Sequence, residues 1–340
     1  MGSQFSQFFP SSPTFTEKDL PSLKDSVFLI TGGTSGIGLE LAKILYHAGG
    51  RVYITGRTEE KALQAVTAIR ESVPESKSTS SADDQDQEEA PGQIDSIILN
   101  LDDLASIKSS VEAFKAKETR IDVLFNNAGV SQPPLGSVSK QGFELQLATN
   151  CLGPFLFTQL LLPLLKAAAA SSSTAPGSVR VIWLSSQVAE LSSPPEGLIM
   201  SELTTPPNDN VRNYTNSKLG NMLLSSEFAR RYGNQDQGIV SVALNPGAVN
   251  TNLLRNAKWM KFFSYPLLYS PKLAAYTELY AGLSRDISLE RNGCYVVPWG
   301  RVHLGLKKDL VKAIRTVEDG GAGRAKEFWE FCEEKVKEYK

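Results

Sequence analysis

From residue 27 onward, short apolar runs alternate with stretches whose apolar positions recur at helical spacing. Val27–Thr31, Arg51–Thr55, Ser96–Leu99, Val123–Asn126, Val179–Leu184, Ile239–Leu244 and Cys294–Val297 read as strands. Between them the spacing predicts helices at Gly38–Ala48 and Lys61–Glu71, and near 104–116, 141–166, 211–232 and 271–285. Strands this short and this apolar show no polar alternation, so both faces of their sheet are buried. Helices between successive strands supply the cover. The expectation is an α/β fold: a doubly wound, mostly parallel sheet of seven strands with helices on both faces.

The pattern breaks in four places. Residues 1–24 form an N-terminal arm carrying Phe5, Phe8, Phe9 and Phe15. Ser72–Gln93 is rich in Ser, Asp, Glu and Gln without apolar period, and reads as a mobile insertion in the second crossover. Ala167–Ser178 is a low-complexity tract expected at a frayed helix end. Residues 301–340 add a charged extension with an amphipathic helix near 324–338, whose Phe328, Trp329 and Phe331 are expected to dock on the domain. The domain itself is expected over 25–300. Its most apolar stretch, Leu152–Ala170, is interrupted by Pro154, Gln159, Pro163 and Lys166, which favours a buried helix over a membrane span.

A formal net charge of -2 gives no electrostatic reason to expect nucleic acid as a partner. Three scattered cysteines, Cys151, Cys294 and Cys332, read as reduced thiols and a cytoplasmic location. His47 and His303 lack metal-ligand spacing, so no metal is expected. No secretory signal or transmembrane segment is expected. Met1–Ser6 fits the loose myristoylation pattern at Gly2, which allows weak peripheral membrane association. The competing reading is an aromatic arm that packs on the domain or a partner.

Candidate chemistry lies at strand ends. Thr31–Gly38, TGGTSGIG, follows the first strand and opens a helix. Gly32, Gly36 and Gly38 let backbone approach a pyrophosphate, and the helix start around Ser35 and Ile37 offers free N–H groups. An acid at the end of the second strand would hold the ribose of NAD; this chain has Arg57, with Lys61 a turn later, which favours NADP(H). Tyr214 and Lys218 stand one helical turn apart on one face. An ammonium so placed is expected to favour the phenolate and lower the tyrosine's pKa toward the working range.

With TGGTSGIG, Asn126-Asn127-Ala128-Gly129, Tyr214-x-x-x-Lys218 and Pro246-Gly247 in this order, the chain resembles the short-chain dehydrogenase/reductase family over about residues 25–300. Ile54–Arg57 and the long gap before Tyr214 look like the retinol dehydrogenase and WW-domain oxidoreductase branch, and the aromatic arm is similar to fungal members. The resemblance implies a Rossmann fold. It implies catalytic roles for Ser186, Tyr214, Lys218 and Asn150, with Asn150 holding a water in the proton path. Ser185 is the alternative to Ser186, because the interval before Tyr214 is about twice that of compact members. By the same resemblance Asp102 lies beside adenine, Asn127 and Gly129 against the adenosine ribose, Lys218 and Tyr214 at the nicotinamide ribose, and Val249 and Thr251 at the carboxamide.

The expected activity is NADP(H)-dependent interconversion of a carbonyl and an alcohol. The segment 252–271, with Trp259, Met260, Phe262, Phe263, Tyr265 and Tyr269, falls where the family places its substrate lid. Its rings suit a lipophilic small-molecule substrate, retinoid-, steroid- or polyketide-like and of the kind met in secondary metabolism. The rings are equally open to reading as a packing face or a homodimer contact. A different class, a silent NADPH-binding scaffold, need not keep Ser, Tyr, Lys and Asn together, as this chain does.

Overall fold

A computed structural model of the protein describes residues 2–73, 91–195, 197–234, 238–251 and 268–340. Its strands are β1 (Val27–Ile30), β2 (Arg51–Gly56), β3 (Gln93–Ile98), β4 (Val123–Asn126), β5 (Arg180–Leu184), β6 (Val240–Leu244), β7 (Tyr295–Val297) and β8 (Arg301–Val302). They form one sheet in the order β3-β2-β1-β4-β5-β6-β7-β8. All pairs from β3 to β7 are parallel, and β8 returns antiparallel along β7, with Val296 opposite Val302. The sheet thus has eight strands instead of the expected seven. A two-residue strand carries no periodicity, and it falls just past residue 300, where the sequence pattern places the end of the domain.

The helices are α1 (Gly2–Phe8), α2 (Gly36–His47), α3 (Glu59–Arg70), α4 (Leu104–Lys115), α5 (Leu145–Ala169), α6 (Gln187–Leu191), α7 (Ser201–Thr204), α8 (Asn210–Tyr232), α9 (Pro271–Leu283), α10 (Lys308–Ile314) and α11 (Arg324–Val336). Two apolar clusters sandwich the sheet. One gathers Phe114, Phe155, Trp183, Phe228 and Trp329. The other gathers Phe28, Leu41, Phe125, Leu279 and Tyr280. Chain order turns around at β1, which has β2 on one side and β4 on the other. This is the switch point where doubly wound sheets leave a crevice at their C-terminal edge.

By length and composition α5 is apolar enough to cross a membrane, with mean hydropathy 1.5. Its apolarity serves the core: Phe155, Leu156, Phe157, Leu161 and Leu165 are fully buried. The C-terminal extension docks there too. Trp329 of α11 is fully buried, its ring 4.8 Å from that of Phe155 at 88°, and the Arg231 guanidinium lies 4.7 Å over it.

Part of the Ser72–Gln93 insertion, 74–90, lies outside the described residues. Its described edges are ordered: Gln93 pairs with Arg51 in the sheet, and Ser72 Oγ donates to the Ile69 carbonyl at 2.6 Å. Of the expected lid, 252–267 lies outside the described residues, including every aromatic named there except Tyr269. The N-terminal arm contains a docked helix, α1, whose Gln7 side chain is only 2% exposed.

Candidate active site

The glycine-rich turn is tied down from beneath. Thr31 Oγ1 donates to the Phe125 carbonyl at 3.2 Å and accepts from Ala128 N–H at 2.9 Å. Asn127 Nδ2 donates to the Thr31 carbonyl at 2.7 Å. Geometry requires glycine along this turn, at Gly36 and Gly38 among others. Gly36 has φ +62°, in the left-handed region, and a Cβ on Gly38 would stand 2.5 Å from Asn127 Nδ2. Ser35 is the N-cap of α2 but makes no side-chain cap bond, so it does not satisfy the N–H groups of the first turn, through Ile37. Left-handed backbone and a helix start without a side-chain cap fit a pyrophosphate.

Around this turn the other expected cofactor residues take their places. Thr55 Oγ1 accepts from Gly32 N–H at 3.2 Å, which brings the end of β2 to the turn. Arg57 and Lys61 follow it, both exposed. Asp102 is half-buried, and its carbonyl accepts from Lys140 N–H at 3.0 Å. Thr251 lies beside Gly36, whose added Cβ would be 3.3 Å from Thr251 Cγ2. Val249 bridges to Tyr269, and the Tyr269 ring meets Trp299 edge-on at 5.0 Å. Gly129 marks the meeting point of two expected catalytic residues: a Cβ there would be 3.1 Å from Asn150 Oδ1 and 3.3 Å from Lys218 Nζ.

Tyr214 and Lys218 project from α8, which Asp209 caps by accepting from Val211 and Arg212 N–H. Lys218 is buried; its Nζ donates to the Leu184 carbonyl at 2.9 Å and lies 5.8 Å from the Tyr214 ring centre. Leu184 ends β5, so the next two serines face α8. Buried Ser185 donates to the Lys218 carbonyl at 2.7 Å. Ser186 caps α6, and its hydroxyl interacts with the Tyr214 phenol. Asn150 sits in a π turn, Ala148–Leu152, within α5. Its amide donates to the Val130 carbonyl at 3.0 Å and Ser217 Oγ at 2.9 Å, and its oxygen accepts from Val130 N–H at 2.8 Å.

The electrostatics differ from the expectation. Burial pushes the Tyr214 phenol up to about 12, with the Ser186 hydroxyl pulling the other way. The Lys218 ammonium, 5.8 Å from the ring centre, is hydrogen-bonded to the Leu184 carbonyl. Burial instead lowers Lys218 to about 8, opposed by its electrostatic interactions with Cys151 and Glu278.

Sequence reasoning missed three buried groups beside this centre. Glu190 of α6, 1% exposed, pairs with His303 at 3.1 Å and accepts from Gln7 Nε2 at 2.9 Å. Tyr295 donates to the Ser186 carbonyl at 3.2 Å. No sequence spacing links residues so far apart. Glu278 of α9 is also 1% exposed, and burial raises it to about 8 against the pull of Lys218. That one had a signal: it is the sole acid in an otherwise largely apolar helix. Among the described residues no cluster of three metal-type ligands occurs.

The family profile described as short chain dehydrogenase matches residues 26–196. A short-chain dehydrogenase/reductase of Phomopsis amygdali is 43% identical over 340 residues, covering 98% of this chain and 96% of the relative. The chain belongs to the short-chain dehydrogenase/reductase family. Another similar member, iacJ of Pestalotiopsis fici, is 41% identical over 338 residues, covering 98% of this chain and 97% of its own. Among solved structures, an uncharacterised protein from Mycobacterium paratuberculosis superposes with TM-score 0.67 at 26% identity, covering 95% of this chain and 97% of that one. RhlG of Pseudomonas aeruginosa, solved as an NADP complex, shares the fold with TM-score 0.58 at 24% identity, over 81% of this chain and 95% of its own. As a short-chain dehydrogenase/reductase, the protein is an NAD(P)-dependent oxidoreductase.

Proposed function

We propose that the protein is an NADP(H)-dependent oxidoreductase that interconverts a carbonyl and an alcohol on a lipophilic small molecule. The observation that carries this reading is the convergence of Tyr214, Ser186 and Lys218 at the C-terminal ends of β4 and β5, next to a glycine-rich turn whose helix start has no side-chain cap.

Gly32, Ser35, Gly36, Ile37 and Gly38 would hold the pyrophosphate, and Arg57 with Lys61 the 2′-phosphate. Asp102, Asn127 and Gly129 would flank the adenosine, with Lys218 and Tyr214 at the nicotinamide ribose and Val249 and Thr251 at the carboxamide. Bound there, the nicotinamide supplies or takes up the hydride. The protein's own task is the proton. A phenol held at about 12 keeps its proton at neutral pH, so Tyr214 is poised to give it to a carbonyl oxygen during reduction. Ser186 orients that oxygen by hydrogen bonding. Lys218, held on the Leu184 carbonyl with its Nζ 5.8 Å from the Tyr214 ring centre, would place its ammonium near the phenolate that forms. Asn150 ties α8, through Ser217, to the Val130 segment that carries Gly129. The Tyr269–Trp299 ring pair next to Val249 supports a lipophilic substrate over a charged one.

Cofactor consumption against a panel of lipophilic aldehydes and ketones tests this reading. NADPH oxidation about ten-fold or more faster than NADH oxidation is expected. Consumption of neither, or a preference for NADH, contradicts it.

A further inference from the structure

Helix α1 is hydrogen-bonded to several segments that surround the candidate active site. Gln187 Nε2 donates to Gln4 Oε1 at 3.3 Å, Arg301 Nη2 to the Ser6 carbonyl at 2.7 Å, and Tyr269 Oη to the Phe8 carbonyl at 3.0 Å. The central contact is Gln7, 2% exposed. Its Nε2 donates to Glu190 Oε2 at 2.9 Å, and its Oε1 accepts from Asn245 Nδ2 at 3.0 Å.

Both partners lead to the chemistry. Glu190 lies on α6, the short helix that Ser186 caps, and its other oxygen is taken by His303 at 3.1 Å. Asn245 immediately precedes Pro246–Gly247, and its Oδ1 accepts from Gly247 N–H at 3.0 Å, which shapes the turn into the Val249 loop. A carboxylate only accepts and an ammonium only donates; a carboxamide does both at once. Gln7 therefore satisfies a buried acid on one wall and a buried amide on the other.

We propose that Gln7 is a positioning residue, an amide clamp from the N-terminal helix that holds the Ser186 helix and the Pro246–Val249 loop at a fixed separation. α1 is then a working part of the active site. The proposal rests on the assignment of Ser186 and of this loop made above. It predicts that the two walls, joined at their bases where Ser185 N–H donates to the Leu244 carbonyl at 2.8 Å, loosen together beyond that point when the amide is lost.

The test compares full-length wild type, Gln7→Leu and Tyr214→Phe. Leucine keeps much of the volume and removes both hydrogen bonds. Amide hydrogen exchange in 187–191 and 245–249 of Gln7→Leu is expected to quicken by about five-fold or more, with β1 and β4 unchanged. On the carbonyl that wild type reduces fastest, kcat is expected to fall about five-fold or more while KM for NADPH holds. Unchanged exchange in either segment, uniform quickening across the sheet, or unchanged kcat with both segments loosened overturns the clamp. Tyr214→Phe separates this from the parent reading: turnover retained there defeats the active-site assignment, while the exchange data still decide whether Gln7 couples the two segments.

Discussion

Lys218 donates its ammonium to the carbonyl of Leu184 at 2.9 Å, and Ser185, the next residue after Leu184, donates back to the Lys218 carbonyl at 2.7 Å. This reciprocal pair locks α8 to the end of β5. It fixes the lysine Nζ 5.8 Å from the ring centre of the tyrosine one turn earlier. Ser185 is spent on structure, which supports assigning the substrate contact to Ser186.

Cofactor choice is expected to depend on Arg57. It stands exposed at the end of β2, one residue beyond Gly56. A charge-assisted hydrogen bond contributes about 1.5–3 kcal/mol, or roughly ten- to a hundred-fold in affinity. Arg57→Ala is expected to raise KM for NADPH by that factor and leave KM for NADH nearly unchanged. Steady-state kinetics with both cofactors checks this; equal effects on the two would contradict it.

Glu278 is expected to make stability depend on pH. Its folded pKa is raised to about 8 by burial, from the ordinary carboxylate value of 4.5. Between those values the folded chain holds a proton that the unfolded chain has lost, so its contribution to stability is full below about 4.5 and is lost as pH rises through about 8. The slope approaches about 1.4 kcal/mol per pH unit. Glu278→Gln lacks this titration, so its Tm relative to wild type is expected to climb between pH 5 and 8. Parallel Tm curves would contradict the assignment.

Trp329 separates stability from chemistry. It is fully buried against Phe155, with Arg231 over its ring, and does not belong to the candidate site. Trp329→Ala is expected to cost about 3–5 kcal/mol of unfolding free energy. Chemical denaturation measures that loss, and kcat/KM of the folded variant is expected to stay near wild type.

Much of this molecule is legible in the chain because its signals are local. Val123–Asn126 is continuously apolar up to its final residue since both faces of β4 are covered, and the strand in the structure has those same ends. Of the rings expected to dock from Arg324–Val336, Phe328 and Trp329 are fully buried and Phe331 packs half-buried beside them. The glycine turn is legible because strand, turn and helix are contiguous. β8 was illegible because two residues hold no period. The Gln7–Glu190–His303 cluster was illegible because its members come from chain segments that only the fold brings together. Tyr–Lys spacing gives proximity alone; the burial that raises the Tyr214 phenol and the Leu184 carbonyl that takes the Lys218 ammonium come from the fold.

The central claim is that Tyr214 delivers the proton, and one substitution addresses it. Tyr214→Phe removes a single oxygen from a helix whose packing it leaves intact. General acid catalysis contributes roughly 10²- to 10⁴-fold. The account predicts that kcat for carbonyl reduction falls by about that factor while the Kd for NADPH, measured by fluorescence titration, stays within about two-fold. Turnover at the wild-type rate with the phenylalanine in place would contradict it.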